Sequence, residues 1–244
     1  REGQIASDAQ KEQLLRNMAR KQADLIVAVG FAFTEAVEKV AKEYPNVRFT
    51  LIDAVAKGPN VQSILFKEQD GAFLVGIAAA RATKTQRVGF IGGIGIPLIQ
   101  AFGCGYAQGV KYANGQVSVI QNIVGNTPHA FNDPARGTEL AKSQFDRGVD
   151  VIFVAAGATG LSVLKAANAA HRLSIGVDSN QNDLYPGSVL TSLVKRVDNI
   201  VYNAFLTAKN GTWKPGVQVL GLKENAIDWA LDKHNRSLIS TKLE

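Results

Sequence analysis

Short apolar runs recur along the chain and alternate with longer segments in which apolar and polar residues mix. Most of these runs are rich in Val and Ile and are followed by Gly, Asp or a polar residue. Continuous apolar runs are typical of strands that are covered on both faces of a sheet. The predicted strands cover residues 25–29, 49–52, 88–91, 117–120, 151–155, 174–177 and 189–193.

The segments between these runs have the periodicity of amphipathic helices. Leu14, Leu15 and Met18 fall on one face of the first segment, and Ser7 and Asp8 are good residues for its amino-terminal cap. Helices and strands that alternate in this way predict βαβ units, hence parallel sheet with helices on both faces. The predicted helices cover residues 7–22, 33–43, 69–83, 97–113, 134–147, 158–171 and 196–210.

The residues that follow the predicted strands are candidates for ligand binding, because open parallel sheets bind ligands beyond the carboxyl ends of their strands. Asp53 and Asp178 follow two strands, and an aspartate can accept two hydrogen bonds from a vicinal diol. Phe31 follows another strand and can stack on a flat ring, while Gly157 allows a ligand to approach the backbone closely. These residues suit a small polar ligand with a planar ring. The alternatives are structural: both aspartates also fit helix caps, and Phe31 also fits the core.

The net charge of +6 and the pI of about 9.4 raise the question of nucleic-acid binding. The 27 Lys and Arg residues are spread along the predicted helices, with no run of five. This distribution indicates solvated helix faces, so no nucleic-acid partner is expected.

The chain lacks the sequence patterns of an enzyme or a metal protein. There is one cysteine, Cys104, and the three histidines are far apart in sequence. The loop Gly93-Ile94-Gly95 lacks the third glycine of a dinucleotide fingerprint, and no GxSxG motif occurs. We therefore expect neither catalysis nor a cofactor nor a metal ion. No apolar run approaches the roughly 18 residues of a membrane-spanning helix.

Several strings of the chain, in order, resemble the basic membrane lipoproteins, which are the substrate-binding proteins of nucleoside ABC importers. The resemblance runs from about Asp24 to the region of Trp213. The strings are AVGF (28–31), LID (51–53), FKEQDG (66–71), VGFIGG (88–93), FNDPA (131–135), AGATG (156–160), GVDS (176–179) and TSLVKRVD (191–198).

The resemblance implies a two-lobed α/β fold of the type I periplasmic-binding-protein class, with parallel sheets flanked by helices. Its amino-terminal lobe is expected in residues 1–67 plus 195–216, and its carboxy-terminal lobe in residues 68–194 plus 217–244. The two lobes would close around a nucleoside or purine-like ligand and deliver it to an ABC permease.

The resemblance also assigns the ligand site residue by residue. Asp178 and Lys195 correspond to ribose-binding positions, Asp53 to a ligand-facing acid and Gly157 to a position of close approach. Phe31 and Phe131 are the candidates for stacking on the base. The expected ligand is a purine nucleoside or base.

The chain departs from the family at its start, where relatives have a strand followed by a ligand-contacting loop. We therefore expect the amino-terminal lobe to be incomplete, with its first strand missing. The expected location is the periplasmic or extracellular face of the cell membrane, with a lipid anchor that lies outside this sequence. Two alternatives remain: a ligand-sensing regulatory protein of the same fold, or a binding protein for another solute, such as a sugar or a flavin.

Overall fold

A computed structural model gives the fold, and it describes residues 10–239. Within these residues the chain forms two compact units. The first unit contains residues 10–66 and 197–226, and the second contains residues 67–196 and 227–239. The predicted cap at Ser7 and Asp8 lies outside the described residues.

Strands and helices alternate along almost the whole chain. The helices are α1 Gln10–Arg20, α2 Thr34–Glu43, α3 Glu68–Ala82, α4 Pro97–Ala113, α5 Pro134–Asp146, α6 Thr159–Ala169 and α7 Val197–Lys209. The strands are β1 Leu25–Val29, β2 Arg48–Ile52, β3 Val61–Phe66, β4 Arg87–Gly92, β5 Ser118–Ile123, β6 Val151–Ala155, β7 Leu173–Asp178, β8 Val189–Lys195, β9 Gly216–Leu220 and β10 Ile227–Trp229.

The first unit is a four-stranded parallel sheet in the order β1-β2-β3-β9. Successive residues of a strand point to opposite faces of the sheet, and helices pack against both faces. Val37 of α2 packs in one core with Ile26 and Leu51. Leu25, one residue before Ile26, points the other way and packs against Ala204 of α7.

The second unit is a six-stranded sheet in the order β10-β8-β7-β6-β4-β5. Five strands are parallel, and β10 runs antiparallel to β8. Every residue of β6, at the centre, is buried. Phe153 on this strand lies 5.3 Å from the ring of Tyr106 and 5.6 Å from the ring of Phe90, centroid to centroid. These rings pack together in the core between the sheet and α4.

Helices α3 and α4 of the second unit pack unusually closely along a seam of three glycines. A Cβ atom on Gly76 would overlap the carbonyl oxygen of Tyr106. One on Gly105 would overlap the carbonyl of Gln69, and one on Gly109 the carbonyl of Phe73. The two backbones can touch at these places only because glycine has no side chain.

All seven predicted strands and all seven predicted helices are present, which confirms the α/β fold with parallel sheets flanked by helices. The pattern missed β3, β9 and β10. The structure also differs from the expected lobe boundaries for residues 217–226, which were assigned to the carboxy-terminal lobe. They belong to the first unit, because β9 pairs with β3.

Candidate functional site

The carboxyl ends of four neighbouring strands in the second unit bring polar and small residues to one edge of the sheet. Lys195 ends β8 and Asp178 ends β7. Gly157 follows β6 by two residues, and Gly93 directly follows β4. Because the strands are parallel and adjacent, in the order β8-β7-β6-β4, these four residues share that edge. Adjacent strands are separated by about 4.8 Å.

Lys195 lies between two carboxylates at this edge. Its Nζ is 3.5 Å from Oε1 of Glu68, the first residue of α3, and 4.0 Å from Oδ1 of Asp178. The side chains of Lys195 and Glu68 are only 3% and 6% exposed, whereas that of Asp178 is 58% exposed. The pair of Lys195 and Glu68 is therefore an internal ion pair, and Asp178 is the member that solvent or a ligand can reach.

The backbone at Asp178 is held in a fixed conformation. Its φ of 65° lies in the left-handed region, which aspartate and asparagine tolerate better than most residues. The backbone N–H of Val177 donates to Oε1 of Gln181 at 3.1 Å, and the N–H of Gln181 donates to Oγ of Ser192 at 2.9 Å. Ser192 in turn donates to Oδ1 of Asn182 at 2.9 Å. These bonds tie the turn after β7 to β8, so Asp178 occupies a defined position.

Phe131 lies against the ends of β4 and β6, where two glycines leave room for its ring. A Cβ atom on Gly93 would lie 2.8 Å from both Cδ1 and Cζ of Phe131, and closer still to Cε1. A Cβ atom on Gly157 would lie 3.2 Å from the Phe131 carbonyl oxygen and 3.4 Å from Cδ1. Gly157 also has a φ of 55°, which disfavours any other residue. The Phe131 ring is half-buried in this position.

The short 3-10 turn that carries Phe131 is anchored by Thr159. The hydroxyl of this buried threonine donates to the carbonyl oxygen of Ala130 at 2.7 Å, and it accepts from the N–H of Asp133 at 2.7 Å. Asp133 then caps α5 by accepting from the N–H of Arg136 at 3.0 Å. Residues on both sides of Phe131 are thus bound to the start of α6.

The two candidates in the first unit lie at the carboxyl ends of neighbouring parallel strands. Phe31 opens a 3-10 turn after β1, and Asp53 follows β2. Both are half-buried, and Asp53 has a φ of 75°. Phe33, two residues after Phe31, packs against the core of the unit. The structure thus brings Phe31 and Asp53 to one edge of the smaller sheet.

Two residues at the edge of the larger sheet were not singled out from the sequence. Glu68 falls within the string FKEQDG, and Gly93 falls within the string VGFIGG and in a loop that lacks a phosphate-binding pattern. The acidic first turn of α3 is a visible signal, but such residues commonly stabilise a helix start. Nothing local to Glu68 indicates that a lysine far along the chain lies beside it.

Across residues 10–239, no group of three or more His, Cys, Asp and Glu residues is arranged to hold a metal ion. No helix in the same range is long and apolar enough to cross a membrane.

The chain passes from one α/β unit to the other three times, after residues 66, 196 and 226. Two such units, each built on parallel strands, define the class of type I periplasmic solute-binding folds. A solved ABC transporter solute-binding protein from Aeropyrum pernix K1 has this fold, with a TM-score of 0.83 and 34% sequence identity. The match covers 96% of this chain and 67% of that one.

The family described as ABC transporter substrate-binding protein PnrA-like, or Bmp, matches residues 1–243. Basic membrane protein D of Borreliella burgdorferi (strain JD1) is 34% identical over 233 residues, which cover 91% of this chain and 67% of the relative. The CD4+ T-cell-stimulating antigen of Listeria monocytogenes is also 34% identical, over 96% of this chain and 69% of the relative. The chain belongs to the Bmp family of ABC transporter substrate-binding proteins, which confirms the resemblance seen in the sequence.

Proposed function

We propose that this substrate-binding protein captures a purine nucleoside or purine base and delivers it to an ABC permease. The family supplies the general role, since its members bind a small solute for a transporter. The observation that carries the choice of ligand is the arrangement at the edge of the larger sheet. There, an accessible carboxylate and a buried ammonium share an edge with a phenylalanine ring that is set against two glycines.

The chemistry of these groups suits a nucleoside. The two oxygens of Asp178 can accept hydrogen bonds from both hydroxyls of a ribose, and Lys195 can donate to one of them. The face of Phe131 can stack on a purine, an interaction that tolerates different bases. Asp53 and Phe31 of the first unit remain predicted contacts, assigned by their correspondence to family positions.

The ligand is tested by calorimetric titration with adenosine, guanosine and inosine and with the corresponding free bases. Asp178→Asn removes the charge but keeps a residue that tolerates a positive φ. We expect it to weaken nucleoside binding about ten- to a hundredfold, because a hydrogen bond to a charged group contributes about 1.5–3 kcal/mol. Free-base binding should not change, since a base has no ribose hydroxyls.

The matched control is Asp183→Asn, an exposed aspartate in the same β7–β8 connection. It should bind every ligand as the unaltered protein does. Heat with a sugar or a flavin, and none with any nucleoside or base, would overturn the purine assignment while leaving the family role intact.

The protein is further proposed to release its ligand chemically unchanged and to act at the outer face of the cell membrane, held there by a lipid anchor. Chromatography of a nucleoside recovered after incubation with the protein tests the first point, because cleavage would yield free base. Sequencing the amino terminus of the mature gene product tests the second. A terminus without a lipid-modified cysteine would refute the anchor.

A further inference from the structure

Glu68 and Lys195 form an ion pair that is almost fully removed from water. Their side chains are 6% and 3% exposed, and the charged atoms are 3.5 Å apart. Burying an ammonium group without a countercharge costs several kcal/mol, on the order of the effective penalty found for buried ions. The carboxylate of Glu68 offsets that cost and thereby allows a lysine to lie at the edge of the sheet.

The position of Glu68 is itself well determined. It is the first residue of α3, where the positive end of the helix dipole favours a negative charge. Close contact between α3 and α4 along the glycine seam fixes the helix, and Gln69, the next residue, touches Gly105 directly. Glu68 is therefore a rigid point against which the flexible Lys195 side chain can be aligned.

The charges of the three side chains also decide what the edge attracts. Glu68, Lys195 and Asp178 together carry a formal charge of −1, because one ammonium faces two carboxylates. The ammonium is already compensated from the protein side by Glu68. A phosphate group brought to Asp178 would therefore meet a net negative site, despite the presence of a lysine.

We infer that Glu68 is a positioning and specificity-determining residue of the ligand site. It holds Lys195 in place for a ligand hydroxyl, and its charge makes the site select uncharged, hydroxyl-bearing ligands over their phosphate esters. This inference rests on the proposed function, in that it takes Lys195 and Asp178 to be ligand contacts.

The experiment compares calorimetric affinities for a nucleoside and its 5′-monophosphate in the unaltered protein and in Glu68→Gln. This substitution preserves shape and removes one negative charge. We expect nucleoside affinity to fall about tenfold. The ratio of monophosphate to nucleoside affinity should rise tenfold or more, which is on the order of the effect of removing one unit charge from a partly desolvated site. Glu139→Gln on α5, which is 67% exposed, is the control for loss of charge and should change neither affinity.

A double-mutant cycle with Lys195→Met separates positioning from a general structural role. If Glu68 acts through Lys195, Glu68→Gln should not weaken nucleoside binding further once Lys195 is Met. The double variant replaces the buried ion pair with two neutral side chains. It should therefore fold even if Glu68→Gln, which leaves a buried ammonium without its countercharge, does not. It should bind nucleoside weakly and still reject the monophosphate, since Asp178 keeps the site negative.

The outcomes separate this inference from the proposed function. Failure of the unaltered protein to bind any nucleoside would refute both. Nucleoside binding that is unchanged in Glu68→Gln, with no gain for the monophosphate, would refute the role of Glu68 alone. If Glu68→Gln does not fold, a double variant that binds nucleoside less well than Lys195→Met alone would refute the role of Glu68, because Glu68 would then affect binding independently of Lys195.

Discussion

The contact between Gly93 and Phe131 allows the stacking role of that ring to be tested without touching the ring itself. In Gly93→Ala, the new Cβ would lie 2.8 Å from Cδ1 and Cζ of Phe131 and closer to Cε1. Carbon atoms in contact prefer separations of about 3.5–4.0 Å. The ring must therefore move by roughly 1 Å or rotate away from the end of β4.

The size of the expected effect follows from this displacement. Stacking of a base on an aromatic side chain contributes about 1–3 kcal/mol, so losing it weakens binding by roughly five- to 150-fold. Nucleoside and free base should lose affinity to the same extent, since both present the base. The behaviour of Asp178→Asn should differ, because that change acts on the ribose alone. Overpacking of this kind also lowers the free energy of unfolding by about 1–3 kcal/mol.

The assay is calorimetry with one nucleoside and its base, combined with thermal unfolding followed by circular dichroism. Gly95→Ala is the matched control, because its Cβ would meet no atom within 4 Å. It lies two residues away in the same loop and should behave as the unaltered protein. A Gly93→Ala protein with a lowered unfolding midpoint but full affinity would show that the ring has moved and the ligand does not use it.

Three further predictions concern stability. Tyr106→Phe should raise the free energy of unfolding by about 1 kcal/mol in denaturant titration, because the buried hydroxyl has no hydrogen-bond partner among residues 10–239. A decrease of about 1 kcal/mol in the free energy of unfolding would instead show that a bound water satisfies the hydroxyl. Burial, with Asp150 adding to it, also raises the pKa of the Tyr106 phenol well above its usual value, so the hydroxyl stays protonated. Desolvation raises the pKa of Asp232, but hydrogen bonds from Asn180, the His234 backbone and Asn182 outweigh it and hold that pKa below its usual value. This contribution to stability is present above the unfolded-state pKa of about 3.9 and is lost as the pH falls through the lower folded-state pKa. Asp232→Asn should therefore reduce the acid sensitivity of the unfolding midpoint between pH 5 and pH 2, about the range over which such a group titrates, and an unchanged profile would contradict the assignment. Asn60→Ala should lower the free energy of unfolding by about 2–3 kcal/mol, since its amide donates to three backbone carbonyls at 2.7–3.1 Å; a change below 0.5 kcal/mol, roughly the scatter of surface substitutions, would contradict it.

The parallel strands could be predicted from the sequence because most of them are continuous apolar runs. The exceptions have physical causes. In β3, the polar residues Gln62 and Ser63 interrupt the apolar run. They can be buried there because neighbours such as Thr50 form hydrogen bonds with their side chains. In β9 most residues are exposed at the edge of the sheet, so no apolar run is required there.

The residues of the candidate site likewise include some that the sequence predicts and some that it does not. Asp178 and Gly157 could be placed at the carboxyl edge of a parallel sheet from the sequence, because each follows a predicted strand. Phe131 was proposed only through the family resemblance, since its turn lies well after β5. Glu68 could not be placed, because an ion pair between α3 and β8 depends on how the chain folds back on itself.

The glycine seam between α3 and α4 has a consequence for how this gene can vary. A nonsynonymous single-nucleotide change in a glycine codon always introduces a larger side chain or a stop. At Gly76, Gly105 and Gly109, even the methyl group of alanine would collide with the backbone of the facing helix. Any such change must push α3 and α4 apart, and α3 carries Glu68 at its first turn. We therefore expect natural and laboratory variants at these three codons to be depleted as strongly as variants of the ligand contacts themselves, although none of the three contacts a ligand in the proposed site.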